Sequence, residues 1–344
     1  MTTAIEWTDT VWNPVTGCSK VSEGCRNCYA FALHDMRHKA FQDGKKLPQQ
    51  YAKPFNEIQL FPDRLLQPLK WRKPRRVFVN SMSDLFHESV PFEYIDEVFE
   101  MMAESQRHTF QILTKRPQRM LDWFNTVRKR RPIPGHGVST GNSPFCTGAH
   151  CKWHDADVGY CGSPWPLPNV WIGTSVENQK AAEERIPLLL QVPAEVRFLS
   201  CEPLLGYVDL EFTAQFEHPD NEGYGVEAIK GIDWIIAGGE SGINARPMHE
   251  NWIESLRDQC QEYGVPFFFK QWGEFAPHGV EDDEDPEYWV ADNGIAGLVH
   301  CSIPSDPRGM IYMNRVGKKR AGRMIDGQEW NQFPDGGERD ASRT

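Results

Sequence analysis

The chain has 344 residues, 25% of them charged and 40% hydrophobic, with a formal net charge of −11. That length can bury a full core. The acidic total disfavours a generally basic nucleic-acid binder, and an odd count of nine cysteines fits a disulfide framework poorly.

The first ten residues, MTTAIEWTDT, have neither the basic start nor the apolar stretch of a secretory leader. No apolar run approaches the roughly 20 residues needed to span a bilayer. The expected setting is the cytoplasm, without a membrane, where thiols stay reduced and clustered cysteines more often bind metal or do chemistry. A short strand is predicted at Thr10–Asn13, followed by three cysteines and a helix over Cys25–Phe41. The segment Gln42–Lys73 is polar, with one short helix near Pro62–Leu69. A strand at Val77–Asn80 and a helix over Pro91–Ser105 come next, then a strand at Thr109–Leu113 and a helix over Pro117–Arg130. Pro91 and Pro117 suit a first helical turn. Residues 131–168 form an insertion rich in Gly, Pro, Cys and His, without periodicity. Beyond it come a strand at Val170–Gly173, a helix over Asn178–Gln191, strands at Val196–Leu199 and Asp233–Ala237, a helix over Glu250–Tyr263 and a strand at Pro266–Phe269.

Strand–helix alternation implies right-handed crossovers and a parallel sheet. The expected fold is α/β, a full or partial parallel (β/α) barrel of six to seven units occupying residues 1–272. It carries the Cys/His-rich insertion and an irregular or β-rich C-terminal appendage at 273–344, whose last residues are expected to be disordered. A doubly wound open sheet is the alternative. Both architectures place ligands at the carboxyl ends of the strands. Those exits are polar: Ser81–Asp84, Thr114–Arg116, Thr174–Asn178, Ser200–Pro203, Gly238–Gly242 and Lys270–Trp272. The helix–strand turns at the other end, such as Val192–Ala194, are blander.

Cys18, Cys25 and Cys28 fall within eleven residues, separated by six and then two. A structural zinc site wants four ligands, and only three lie here. Three thiolates can hold three irons of a [4Fe–4S] cube and leave the fourth open. Zinc completed by a distant ligand, and cysteines without metal, are the other readings.

With these residues the chain resembles the radical S-adenosylmethionine (SAM) enzymes, in their spore photoproduct lyase-like branch. The matching frame is Asn13-Pro14, Gly17-Cys18, Gly24-Cys25 and Cys28-Tyr29-Ala30. The first gap is six residues where that superfamily usually has three. The chain resembles still more an uncharacterised phage-associated three-cysteine family with the longer gap. Its other landmarks are similar to Ser83-Asp84, Leu113–Lys115, Cys201–Pro203, Gly238–Gly242 and, in the tail, Val316–Arg323.

The resemblance implies a [4Fe–4S] cluster on Cys18, Cys25 and Cys28 that cleaves SAM, and hydrogen abstraction from a substrate, for which a nucleic-acid base or nucleotide is one class. It also implies an electron donor of flavodoxin or ferredoxin type. Candidate contacts to SAM at the strand exits are Ser81, Asp84, Lys115, Ser175, Glu177, Asn178 and Glu240, with helix capping the competing role for Asn178. Glu202 is a candidate facing the substrate, a role also open to Glu240, and an anionic substrate or a surface position is the alternative for Lys115. Cys201 is a candidate hydrogen-atom donor, against the alternative of a small buried hydrophobe. Arg197 and Arg246 are potential structural partners for the rim carboxylates.

In the insertion, Cys146, Cys151, His154 and Cys161 are separated by four, two and six residues. Such a set suits tetrahedral zinc, which would supply folding free energy to an unpatterned loop; an auxiliary iron–sulfur cluster is the alternative. Trp153, Trp165 and the basic run Arg128–Arg131 would let this knuckle contact nucleic acid by stacking and phosphate pairing. A non-catalytic, zinc-stabilised nucleic-acid or protein binder on a barrel scaffold is the competing functional class.

Overall fold

The computed structural model describes residues 3, 5–130, 154–155, 160–161, 166–216, 224–278, 285–299 and 309–334, with backbone alone at 128–130, 154–155, 160–161 and 224. Seven strands form one parallel sheet: β1 (Thr10–Trp12), β2 (Arg76–Val79), β3 (Thr109–Thr114), β4 (Val170–Ser175), β5 (Val196–Cys201), β6 (Trp234–Gly238) and β7 (Phe267–Gln271). Their order in the sheet is their order in the chain. A doubly wound sheet would reverse direction at a switch point; this one never does, and β1 and β7 are its two ends. The fold is therefore an α/β partial barrel. β4 and β6 are buried along their whole length, as strands covered on both faces should be.

By its internal contacts the chain divides into two compact units. One comprises Met1–Ser19, His34–Gly173 and Leu188–Glu195, and the other Lys20–Leu33, Thr174–Pro187 and Val196–Thr344.

In the first unit, Thr10, Val11 and Trp12 of β1 pair with Val77, Phe78 and Val79 of β2, and Arg76 opens the register of β2 against Thr109 of β3. Helix α2 (Phe92–Glu104) buries Tyr94, Ile95, Val98, Phe99 and Met102, a stripe at helical spacing. Helix α3 (Pro117–Arg130) places the Trp123 ring 4.4 Å from the Phe99 ring, and the Trp123 indole N–H donates to the buried Asp96 carboxylate at 2.9 Å. Trp123 thus keeps its apolar body in the core while its polar handle is satisfied. The short helix expected near Pro62–Leu69 is two 3-10 turns, Pro62–Arg64 and Pro68–Lys70, each started by its proline.

In the second unit, β5, β6 and β7 pair in parallel, with Ile235 of β6 opposite Leu199 and Phe267. Helix α4 spans Gln179–Leu190 and helix α5 Glu250–Tyr263, the latter burying Trp252, Ile253, Leu256, Gln259 and Cys260. Gly264 closes α5 at φ 68°, a left-handed conformation that costs glycine little. The expected appendage contains an antiparallel four-stranded sheet, β8 (Phe275–Pro277), β9 (Tyr288–Ala291), β10 (Ala296–Leu298) and β11 (Met310–Arg315), in the order β8-β11-β9-β10. Beyond β11 the chain returns to β7. Phe269 N donates to Trp330 O at 2.9 Å, Gln332 N to Phe267 O at 3.1 Å, and Phe333 is buried against Trp234 and Phe268. The tail thereby covers an edge strand that would otherwise present unpaired backbone groups.

Helix α1 spans Tyr29–Gln42, and a 3-10 turn occupies Glu23–Cys25. The helix expected to begin at Cys25 therefore begins four residues later. Backbone pairing sets His154 opposite Cys161, while Cys146, Cys151, Trp153, Trp165 and Arg131 lie outside the described residues, as do residues 335–344. No helix among the described residues is long and apolar enough to cross a membrane.

Candidate functional site

In the first unit the chain leaving β1 is stitched to the exit of β2. The Asn13 side-chain oxygen accepts from Met82 N at 3.1 Å, its amide nitrogen donates to Ser81 Oγ at 3.2 Å, and Ser83 Oγ donates to Val15 O at 2.9 Å. Gly17 N donates to Met82 O at 3.0 Å and Cys18 N to Phe55 O at 2.8 Å. This explains the polar pair at Asn13 and Ser81: they fix the path of the backbone toward Cys18.

Asp84 is 6% exposed and fully engaged. Its Oδ1 accepts from Phe86 N at 3.0 Å and from Thr114 Oγ1 at 2.7 Å. Its Oδ2 accepts from Lys115 N at 3.0 Å and from Arg116 Nη1 at 3.2 Å. Arg116, 7% exposed, reaches further: Nε donates to Glu88 at 3.1 Å, Nη2 to Ser19 Oγ at 2.8 Å and Ser19 O at 3.1 Å, and Nη1 to Cys18 Sγ at 3.8 Å. Burial opposes its charge, but Asp84, Cys18 and Glu88 outweigh that, and its pKa rises. His87 lies against Ser19 Oγ at 2.8 Å and accepts from Ser89 N at Nδ1. The proton of the neutral ring therefore sits on Nε2 and is donated to Ser19. Burial, then Arg116, hold the His87 pKa below its ordinary value.

In the second unit the turn before Cys25 rests on Glu177. Ser22 Oγ donates to Glu177 Oε1 at 2.9 Å, and Arg185 Nη1 donates to Glu177 Oε2 at 2.9 Å and to Ser175 O at 2.7 Å. Glu177 is 1% exposed. Gly24 packs so closely that a Cβ there would lie 2.4 Å from Glu177 Oε1. Only glycine allows the carboxylate and the turn to meet. Ser22 Oγ also lies 3.8 Å from Cys25 Sγ. Asn178 caps α4, its Oδ1 accepting from Ala181 N at 3.0 Å.

Farther along the same turn, Glu240 takes a two-pronged pair from Arg246, Nε to Oε2 at 2.8 Å and Nη2 to Oε1 at 2.7 Å, and accepts from Asn27 Nδ2 at 3.0 Å. Arg246 Nη2 also donates to Glu23 O at 3.1 Å. Burial pushes the Glu240 pKa up, but the hydrogen bonds from Arg246 and Asn27 prevail and lower it. At the exits of β5 and β7, Glu202 accepts from Lys270 Nζ at 2.6 Å and from Gln271 Nε2 at 3.4 Å. Its neighbour Cys201 is wholly buried, and burial, then Glu177, push its thiol pKa well up. The thiol keeps its proton.

The sequence-predicted residues thus fall into groups. Asp84 belongs with Cys18. Glu177 belongs with the turn of Cys25, and Glu240 with the segment leading to Cys28. Ser81 serves Asn13, Asn178 serves α4, and Lys115 contributes its backbone N–H to Asp84. Sequence reasoning named the carboxylates but not most of their partners, Arg116, Arg185, Ser22 and Asn27, nor Ser19 and His87 behind Arg116. The available signal for Arg116 was the exit Thr114-Lys115-Arg116, in which the lysine is the more conspicuous candidate by its place directly after the strand. Cys18, Cys25 and Cys28 form no disulfide among the described residues. Among the described residues, no three His, Cys, Asp or Glu side chains are grouped as metal ligands.

A family model described as "Protein of unknown function (DUF5131)" matches residues 2–334. No protein of curated function matches the chain. Among solved structures, a cysteine-to-serine mutant of spore photoproduct lyase is similar over 75% of this chain and 76% of its own, at 12% identity and a TM-score of 0.36. A likeness of that extent decides nothing about the chemistry of this chain.

Proposed function

We propose, for a chain that belongs to the DUF5131 family, a radical SAM-type enzymatic function in which Cys18, Cys25 and Cys28 hold a [4Fe–4S] cluster. The observation that supports it is the trio of cysteines on the loop that leaves the first strand of an α/β partial barrel. The donor set fits in kind, since three sulfur ligands close three corners of a cube and leave one iron for another ligand, while in the structure the three are not grouped as metal ligands. When bound, such a group supplies the reductive cleavage of SAM and the hydrogen abstraction that follows.

The chain's own residues would do the positioning. Asp84 with Arg116 braces Cys18 and Ser19; Glu177 with Arg185 braces Ser22 and Gly24; Glu240 with Arg246 braces Glu23 and Asn27. On this reading these three carboxylates serve the cysteine loop, a role different from the SAM contacts expected of them. Glu202, paired with Lys270 and partly exposed at a strand exit, is the carboxylate offered to substrate. Cys201 retains its S–H as a hydrogen store. A nucleic-acid base or nucleotide is the proposed substrate class, and a flavodoxin- or ferredoxin-type protein the proposed electron donor.

Anaerobic purification with iron and sulfide analysis tests the proposal. About four irons per chain at this site are expected, with broad visible absorption. SAM and a reductant should then yield 5′-deoxyadenosine. The Cys25→Ala variant should lose both the iron and the product. Colourless wild-type protein holding zinc would overturn the reading in favour of a metal-stabilised binding protein.

A further inference from the structure

We infer that Arg116 is a positioning residue whose N–H bond to the Cys18 sulfur tunes the reduction potential of the cluster that Cys18 would ligate. The inference rests on the cluster reading above.

The guanidinium is held on every side. Nε is bound by Glu88 at 3.1 Å, Nη1 by Asp84 at 3.2 Å, and Nη2 by Ser19 Oγ at 2.8 Å and Ser19 O at 3.1 Å. Asp84 is itself fixed by Phe86 N, Thr114 Oγ1 and Lys115 N. With its fork oriented in this way, Arg116 directs Nη1 at Cys18 Sγ, 3.8 Å away. At 7% exposure its charge is little screened by water or salt. An arginine cannot give up that charge, whereas a lysine would supply a point charge without the fork.

Hydrogen bonds to the sulfurs and the net charge around a cluster are among the factors that set its potential. A donor and a fixed positive charge both stabilise an added electron. Removing Arg116 therefore makes reduction harder for two reasons of the same sign, the lost donor and the lost positive charge, which also leaves Asp84 and Glu88 without their partner. Arg246 provides the internal comparison. It also braces the cysteine loop through a buried carboxylate, but its described bonds run to the oxygens of Glu240 and Glu23.

The test is potentiometric titration of the reconstituted protein, followed by electron paramagnetic resonance. Arg116→Gln should move the midpoint to a more negative potential, Arg116→Lys should move it less far in the same direction, and Arg246→Gln, which removes no described bond to a cysteine sulfur, should move it least. A loss of packing alone would not separate the two arginines. Pulsed resonance on the reduced wild type, grown with ¹⁵N-arginine, should show a nitrogen coupling that Arg116→Lys removes. An unshifted Arg116→Gln midpoint overturns the inference, as does a shift no larger than that of Arg246→Gln. If Arg116→Gln does not take up iron, the absence of a ¹⁵N coupling in the wild type overturns it equally. Wild-type protein that takes up no iron refutes the cluster reading, and this inference with it. A loaded cluster indifferent to Arg116 refutes the inference alone.

Discussion

Replacing Asp84 with asparagine tests whether the buried pair with Arg116 braces the first unit. The carboxylate accepts four hydrogen bonds, two on each oxygen. Asparagine keeps one oxygen and replaces the other with an NH2 group. In either orientation that NH2 faces two donors: Phe86 N with Thr114 Oγ1, or Lys115 N with Arg116 Nη1. A buried donor left without an acceptor costs about 1–3 kcal/mol, and removing one partner of a buried ion pair about 3–5 kcal/mol. Arg116 keeps Glu88, whose side chain is 65% exposed and whose pairing offsets little of that loss. The expected cost of Asp84→Asn is therefore about 3 kcal/mol. Thr114→Val removes one donor to Asp84 and the acceptor for Arg116 N, and should cost about 1–2 kcal/mol. Glu88→Gln should cost about 1 kcal/mol or less. Guanidinium chloride unfolding followed by tryptophan fluorescence would rank the three variants. If Asp84→Asn proves no more damaging than Glu88→Gln, the pair is not a brace and the assignment fails.

Gly24→Ala should destabilise the second unit by about 1–3 kcal/mol, because the new methyl group cannot coexist with Glu177 in its present place. Alkylation of Cys25, measured by mass spectrometry, should accelerate relative to the buried Cys201; wild-type stability and labelling in the variant would refute the close approach. Stability should also fall as pH drops from 7.5 toward 5.5. His87, His108 and His249 are buried, and burial lowers the pKa of each. The unfolded chain takes up these protons from about pH 6.5 downward while the folded chain resists, so stability is complete above that value and lost below it. Each histidine contributes a slope of at most about 1.4 kcal/mol per pH unit. A melting temperature that is level or rising between pH 6.5 and 5.5 would contradict this.

What the sequence by itself determined is local in origin. Short runs of four or five residues identified every strand of the main sheet, and helical periodicity with an initial proline set α3 at Pro117–Arg130. Helix α5 likewise runs from Glu250 to Tyr263, as its pattern and the following glycine require. These features depend on neighbours within a turn or two, so they are written in consecutive residues. The three cysteines, and the carboxylates Asp84, Glu177 and Glu240, could also be singled out from their positions after strands. Tertiary structure alone decided what each carboxylate does. Asp84 meets Arg116 across 32 residues of chain, Ser22 meets Glu177 across 155, and Asn27 meets Glu240 across 213. The start of α1 was decided in the same way, because Ser22 and Gly24 are held against Glu177 and the turn through Cys25 is tight. A buried charge must find an opposite charge or a donor, but which one it finds depends on how distant strands bring their ends together, and no local pattern records that.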